Sequence, residues 1–231
     1  MTGMRLRSSI SASSLAAILA IAIQGPPDVL PAAATTKLRE SLQAAAAHKR
    51  HLWRDTPALD GNLVNAYIEI PFGERNKYEF NMARNTRVVD RVIPEAIGGY
   101  PVNYGIVPQT IGWDGDPFDA LVLGPPLKGG ELVKGVIVGV MHMEDEKGLD
   151  SKVVLSRVGA DGRATHDLTE VDLERIANYF NRYKREDDDP KTYATVTGWG
   201  TAADGRAFVR ITHAFFTECR ARAGAACHVM P

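Results

Sequence analysis

Hydrophobic and polar positions divide the chain into stretches of different period. Leu15 to Ile23 is an unbroken apolar run (LAAILAIAI), preceded by Arg5 and Arg7 and followed by the small residues Ala32, Ala33 and Ala34. A basic start, a short apolar run and a small-residue site form the order of a secretory signal peptide. The run is too short to cross a bilayer, which takes roughly 20 apolar residues. The expectation is an exported, periplasmic protein with a signal peptide over residues 1–34. The alternative is a cytoplasmic chain in which the run is a buried helix. No cysteine follows the run and no Arg-Arg pair precedes it, so no lipid anchor, no twin-arginine route and no stable membrane anchor after processing are expected.

Residues 35–60 read as a helical extension and linker. TTKLRESLQAAAAHKR is rich in helix formers, Thr35 and Thr36 offer N-caps, and His48 and His51 fall at the exposed end. Pro57, Asp60 and Gly61 mark a turn. From Leu63 to about Val158 the period changes. VNAYIEI, TRVVDRVI, DALVL, GVIVGVMHM and KVVLSRV are β-branched or apolar runs of strand length bounded by Gly and Pro. The glycines in LVKGVIVGVMHM predict a strand with a bend. Many short strands with turns between them indicate a barrel or sandwich.

The helical period then returns. Thr169 caps VDLERIANYFNRYK, which carries Leu173, Ile176, Ala177 and Phe180 on one face. TYATVTGW reads as one more strand, and Asp204 as the cap of a last helix from about Arg206 to Ala221. Asp187, Asp188 and Asp189 read as a solvated loop. The expected fold class is mainly β with flanking helices (α+β). Its barrel domain spans residues 61–221 and a tail spans 222–231.

Composition narrows the function without naming it. The chain has 231 residues, 27 basic and 28 acidic side chains, and a net charge of −1. That balance excludes a general nucleic-acid binder, which needs a basic surplus. Two cysteines exclude a four-thiolate zinc site. Whether Cys219 and Cys227 pair cannot be read from their spacing.

The local order of charge says more. Asp114, Asp116 and Asp119 fall within DGDPFD; in an extended segment Asp114 and Asp116 share one side, and Gly115 and Pro117 set a bend that brings Asp119 in. Glu144, Asp145, Glu146 and Asp150 form a second acidic group. Clustered hard oxygen ligands select Mg²⁺, Mn²⁺ or Ca²⁺. An EF-hand fails, because its fifth position falls on Phe118. Interleaved with these carboxylates are Glu69, Lys77, Glu79, Asp90, Arg91, Tyr100, Tyr104, Lys152, Tyr183 and Lys184. Cations beside a metal-filled acidic pocket suit a polyanionic phosphate ligand. There is no P-loop. Trp113 and His142 read as packing residues.

The segments IEIPFGERNKYE, VDRVI, YPVNYGIVP, DGDPFD, EDEKGLDSK and YFNRYK stand in this order between Leu63 and Thr217. In sequence and order they resemble the family I soluble inorganic pyrophosphatases. The resemblance implies an OB-like five-stranded barrel with helices packed outside, in a homo-oligomer. It implies hydrolysis of pyrophosphate to two phosphates by several Mg²⁺ ions, with Mn²⁺ or Zn²⁺ as substitutes, through an activated water and no covalent intermediate. By the same resemblance Asp114, Asp116, Asp119, Asp145 and Asp150 are metal ligands, with Glu79 for an additional ion. Asp116 is the general base. Lys77, Arg91, Tyr104, Lys152, Tyr183 and Lys184 hold substrate, and Glu69 and Glu146 support the cavity. Glu74 stands where the family often has Ser, on an expected loop. The competing reading is a non-catalytic exported phosphate- or metal-binding protein on the same scaffold. A third, an OB-like barrel for single-stranded nucleic acid, calls for a basic aromatic groove where this chain has carboxylates.

Overall fold

The computed structural model describes residues 29–184 and 191–221. The signal-like run, the Asp187–Asp189 segment, Cys227 and the 222–231 tail lie outside these residues. Cys219 is disulfide-bonded.

Five strands close a ring. β2 (Leu63–Ile70) pairs antiparallel with β5 (Asn103–Ile106), and β5 with β6 (Asp119–Leu123). β6 runs parallel to β9 (Lys152–Arg157), β9 pairs with β7 (Leu132–Asp145), and β7 returns to β2. The ring is the OB-like barrel that the motifs implied. β1 (Leu59–Asp60) flanks β2, β8 (Gly148–Leu149) folds back on β7, and β10 (Ala194–Gly200) extends the sheet beyond β7. β3 (Asn76–Asn81) and β4 (Thr86–Val92) form a separate hairpin.

β7 is long enough to serve two neighbourhoods. Its first residues pair with β2 and its last with β10, and the pairing with β9 shifts register between Ile137 and Gly139. This irregularity is the bend predicted from the glycines: a Cβ at Gly139 would come within 2.9 Å of Leu168 Cδ2 and 3.2 Å of Gly200 O.

Successive strand residues serve opposite faces. Ala120 and Val122 of β6, with Val153 and Leu155 of β9, join one buried cluster, and Leu121, Leu123 and Val154 join another. α3 (Glu170–Phe180) covers the second cluster with Ile176, Tyr179 and Phe180. α1 (Ala32–Ala46) and α4 (Ala202–Ala221) contribute Ala34, Leu38, Phe208, Phe215 and Phe216 to the first. Burial on both faces is why these strands read as continuous apolar runs.

Three local expectations are corrected. Thr35 and Thr36 do not cap α1; its N-cap is Pro31, and both hydroxyls donate to carbonyls four residues back, within the first turn. The processing boundary expected near Ala34 thus falls inside this helix. His51 is not an exposed cation: it is 1% exposed and its side chain caps α2 (Leu52–Asp55), with Nε2 2.9 Å from Met82 O. Burial lowers its pKa. The last helix starts at Ala202, because Thr201 and Asp204 bond reciprocally as cap and third residue. The Thr169 cap of α3 is present, completed by Asp172.

The β2–β5 seam depends on Gly105. A Cβ there would lie 1.9 Å from the Tyr67 carbonyl oxygen. Gly105→Ala is expected to lower unfolding free energy by about 2 to 3 kcal/mol in urea titration, the usual cost of overpacking. Unchanged stability contradicts this account of the seam.

Candidate active site

At one end of the barrel a cavity of about 120 Å³ opens among β2, β3, β5, β6, the β7–β8 turn and the residues after α3. Seven carboxylates line it: Glu69, Glu79, Asp114, Asp116, Asp119, Asp145 and Asp150. Tyr104 and Tyr183 supply aromatic walls, and Lys77, Lys147 and Lys184 supply cations.

The loop before β6 bends at Gly115, as the Gly and Pro of the motif suggested, and closes into a turn that replaces the extended spacing of Asp114 and Asp116. Gly112 N donates to Asp116 O at 2.7 Å, Gly115 N donates to Gly112 O at 3.1 Å, and Asp116 N donates to Asp114 Oδ1 at 3.0 Å. Gly115 turns the chain at φ 83°, a region open to glycine. Asp119 then enters β6 with its backbone fixed by the sheet.

Ammonium groups hold most of the acidic set. Parallel register pairs Ala120 with Val153, which brings Asp119 beside Lys152. Lys152 Nζ lies 2.7 Å from Asp119 Oδ2 and 2.8 Å from Asp150 Oδ1. Its side chain is 1% exposed, so it organises the aspartates from inside the wall. Lys184 Nζ reaches Asp145 Oδ2 at 2.7 Å and both Glu146 oxygens at 3.0 and 3.1 Å. Lys77 Nζ lies 2.5 Å from Glu79 Oε1 and 2.9 Å from Asp90 Oδ2. Glu69 is buried and accepts a hydrogen bond from Phe80 N at 2.5 Å.

The electrostatics record crowding. Desolvation in the cavity and the neighbouring Asp114 push the Asp116 carboxyl up to about 7, against the pull of Lys37. Burial pushes Asp150 up to about 7 too; Lys152 opposes this and Asp119 adds to it. Burial, with Asp119 next, raises Glu69 and Tyr104 well above their ordinary values. Burial raises Tyr183 as well. Lys152 shows the converse: burial disfavours its charge, but Asp119 and Asp150 outweigh that and hold its pKa above the usual lysine value.

This oxygen-only donor set, in which Glu69, Asp116 and Asp150 resist ionisation, fits hard divalent cations. Among the described residues no three acidic or imidazole side chains converge into a finished ligand cluster. Ammonium groups stand between the carboxylates instead.

The structure thus brings together Glu69, Lys77, Glu79, Tyr104, Asp114, Asp116, Asp119, Asp145, Asp150, Tyr183 and Lys184 around one cavity. Lys152 sits behind Asp119 and Asp150, and Glu146 pairs with Lys184. Arg91 stands opposite Lys77 on β4, its guanidinium carbon 5.9 Å from the Tyr183 ring centre. Glu74 accepts hydrogen bonds from Arg75 N and Asn76 N on its loop. Trp113 packs on Phe208 and Phe215, and the His142 ring lies 5.5 Å from Phe208. Two participants escaped the sequence reading: Lys147 lines the cavity, and Lys37 of α1 lies 2.5 Å from Asp116 Oδ2. Asp90, named among the interleaved charges without a role, binds Lys77. Asp90 was legible beside Arg91; Lys37 carried no signal, since only tertiary packing brings it to the site.

A closed barrel with a carboxylate cavity interleaved with lysines has the chemistry of a metal-assisted phosphoryl-transfer hydrolase. The family model for inorganic pyrophosphatase matches residues 66–217. An inorganic pyrophosphatase of Aeropyrum pernix is 38% identical over 156 residues, covering 64% of this chain and 87% of that protein. One from Campylobacter jejuni is 42% identical over 130 residues, covering 53% and 75%. The crystal structure of the Thermus thermophilus inorganic pyrophosphatase superposes with a TM-score of 0.65 at 34% identity, covering 73% of this chain and 99% of that one. The chain belongs to the inorganic pyrophosphatase family.

The native protein holds the Asp116 proton up to about pH 7, whereas the ordinary carboxyl value is 3.8. Ionising Asp116 between these values therefore removes native stability as pH rises. Metal-free Asp116→Asn is expected to gain melting temperature relative to wild type from about pH 3.8 to about pH 7. A difference that stays flat or falls contradicts the crowding.

Proposed function

We propose that this protein is a Mg²⁺-dependent inorganic pyrophosphatase that works outside the cytoplasm. The observation that carries the activity is the single cavity lined by seven carboxylates and three lysines. Asp114, Asp116, Asp119, Asp145 and Asp150 would hold the divalent cations, with Glu79 for a further ion. Bound Mg²⁺ supplies Lewis-acid stabilisation of phosphoryl oxygens and lowers the pKa of water. Asp116 accepts the proton of the attacking water. Lys77, Arg91, Tyr183 and Lys184 hold phosphoryl oxygens, with Tyr104 in the wall beside them. Lys152 fixes Asp119 and Asp150. The water oxygen joins phosphorus, the bridging P–O bond breaks, and the second phosphate leaves with the charge neutralised around it. Mn²⁺ and Zn²⁺ are expected to substitute for Mg²⁺. Homo-oligomerisation is part of the same reading, supported by Val89 and Val92, which are 55% and 58% exposed on β4.

Purified protein is expected to release phosphate from pyrophosphate with Mg²⁺ and none in EDTA. Asp116→Asn is expected to lose about 10³-fold in kcat, the scale of a lost general base. Absence of phosphate release from wild type with Mg²⁺ removes the activity from this protein.

Export is supported by Arg5, Arg7, the Leu15–Ile23 run and the alanines before Thr35. No helix among the described residues is long and apolar enough to cross a membrane. Mass spectrometry of the periplasmic fraction is expected to find a mature N-terminus near Ala34. Intact Met1 in the cytosolic fraction alone overturns the proposed location.

A further inference from the structure

Helix α1 lies outside the stretch matched by the family model, residues 66–217, yet it reaches the active-site loop. Its docking follows from its apolar positions. Ala34, Leu38 and Ala45 are 1%, 1% and 0% exposed and join the cluster that contains Trp113 and Phe118. The approach is close: a Cβ at Gly115 would fall 2.9 Å from Ala34 Cα and 3.0 Å from Lys37 Cβ. Gly115 therefore serves the turn and the helix contact together. Lys37 leaves α1 at this contact and places Nζ 2.5 Å from Asp116 Oδ2. Asp114 and Glu79 add to the field around that ammonium. The two paired side chains remain 41% and 45% exposed, so solvent ions reach them.

We propose that Lys37 is a tethered counter-cation of the active site, whose ammonium competes with a divalent cation for Asp116. The proposal rests on the reading of Asp116 as a metal ligand. Mg²⁺ binds carboxylate oxygen at roughly 2.0–2.1 Å. An ammonium already on the same oxygen would stand within about 4 Å of that ion, and two cations so close repel strongly. One leaves when the other arrives. The lysine stem is flexible and can swing away while Leu38 and Ala45, both beyond the expected processing boundary, keep the helix docked. The extension thereby sets the metal concentration at which the site fills, and the empty site keeps a neutralised base instead of an unpaired one.

The test is titration of metal-free protein with Mn²⁺, free ion being counted by electron paramagnetic resonance. Lys37→Gln removes the charge and keeps a polar side chain; Lys37→Arg keeps the charge. Lys37→Gln is expected to bind Mn²⁺ about three- to tenfold more tightly than wild type, the scale of a partly exposed ion pair. The gain should shrink as ionic strength rises. Lys37→Arg should stay near wild type. Unchanged or weaker Mn²⁺ binding by Lys37→Gln overturns the proposal, as does equal tightening by Lys37→Arg. Phosphate release at saturating Mg²⁺ reports the enzymatic reading separately. A shifted affinity without phosphate release keeps the tether and removes the enzyme; release with unshifted affinity does the reverse.

Discussion

Lys152 carries its ammonium into the barrel wall, and the arrangement of the site follows from it. The side chain is 1% exposed and bonded to Asp119 on β6 and Asp150 before β9. Its Nζ also lies 5.6 Å from the Tyr104 ring centre and 5.9 Å from that of Phe180. A buried cation without partners is expensive, and so is a buried pair of carboxylates. Each therefore requires the other, and the parallel β6–β9 pairing brings them together. The contact that closes the barrel thus also places two of the acidic side chains at the cavity.

The same exchange of charge recurs around the cavity. Lys184 neutralises Asp145 and Glu146, Lys77 neutralises Glu79 and Asp90, and Lys37 neutralises Asp116. A near-neutral chain hides this, because the sum over 231 residues averages over its most polarised region. These lysines are not equal in freedom. Lys152 is enclosed, while Lys37 stands at the mouth with nearly half its side chain in solvent. An enclosed lysine is fixed architecture; an exposed one can yield its carboxylate to another cation.

Much of this was legible in the sequence, for identifiable reasons. Residues 120–123 of β6 and 153–155 of β9 are unbroken apolar runs because both faces of these strands are covered, and those runs located them in the sequence. Lys77 and Glu79 share a strand face as their spacing required. The bend at Gly115 was legible, but not its tightness: the positive φ of Gly115 and the carboxylate-to-backbone bond override the strand spacing of Asp114 and Asp116. His51 looked like a helix-end cation because its burial comes from Phe80 and Met82, some thirty residues away in sequence. Lys37 looked like one more lysine on a solvated helix. Its role depends on where α1 docks, and docking is decided by the apolar residues beside it on the helix, Ala34 and Leu38.

The claim at the centre of this account is that the carboxylates are gathered for divalent cations and are held meanwhile by lysines. Anomalous scattering from crystals grown with Mn²⁺ tests it most directly. The account predicts peaks ligated by Asp114, Asp116, Asp119 and Asp150, with Lys37 Nζ withdrawn from Asp116 Oδ2. No peak in the cavity, or a fully occupied Asp116 site with Lys37 still bonded to that oxygen, contradicts it.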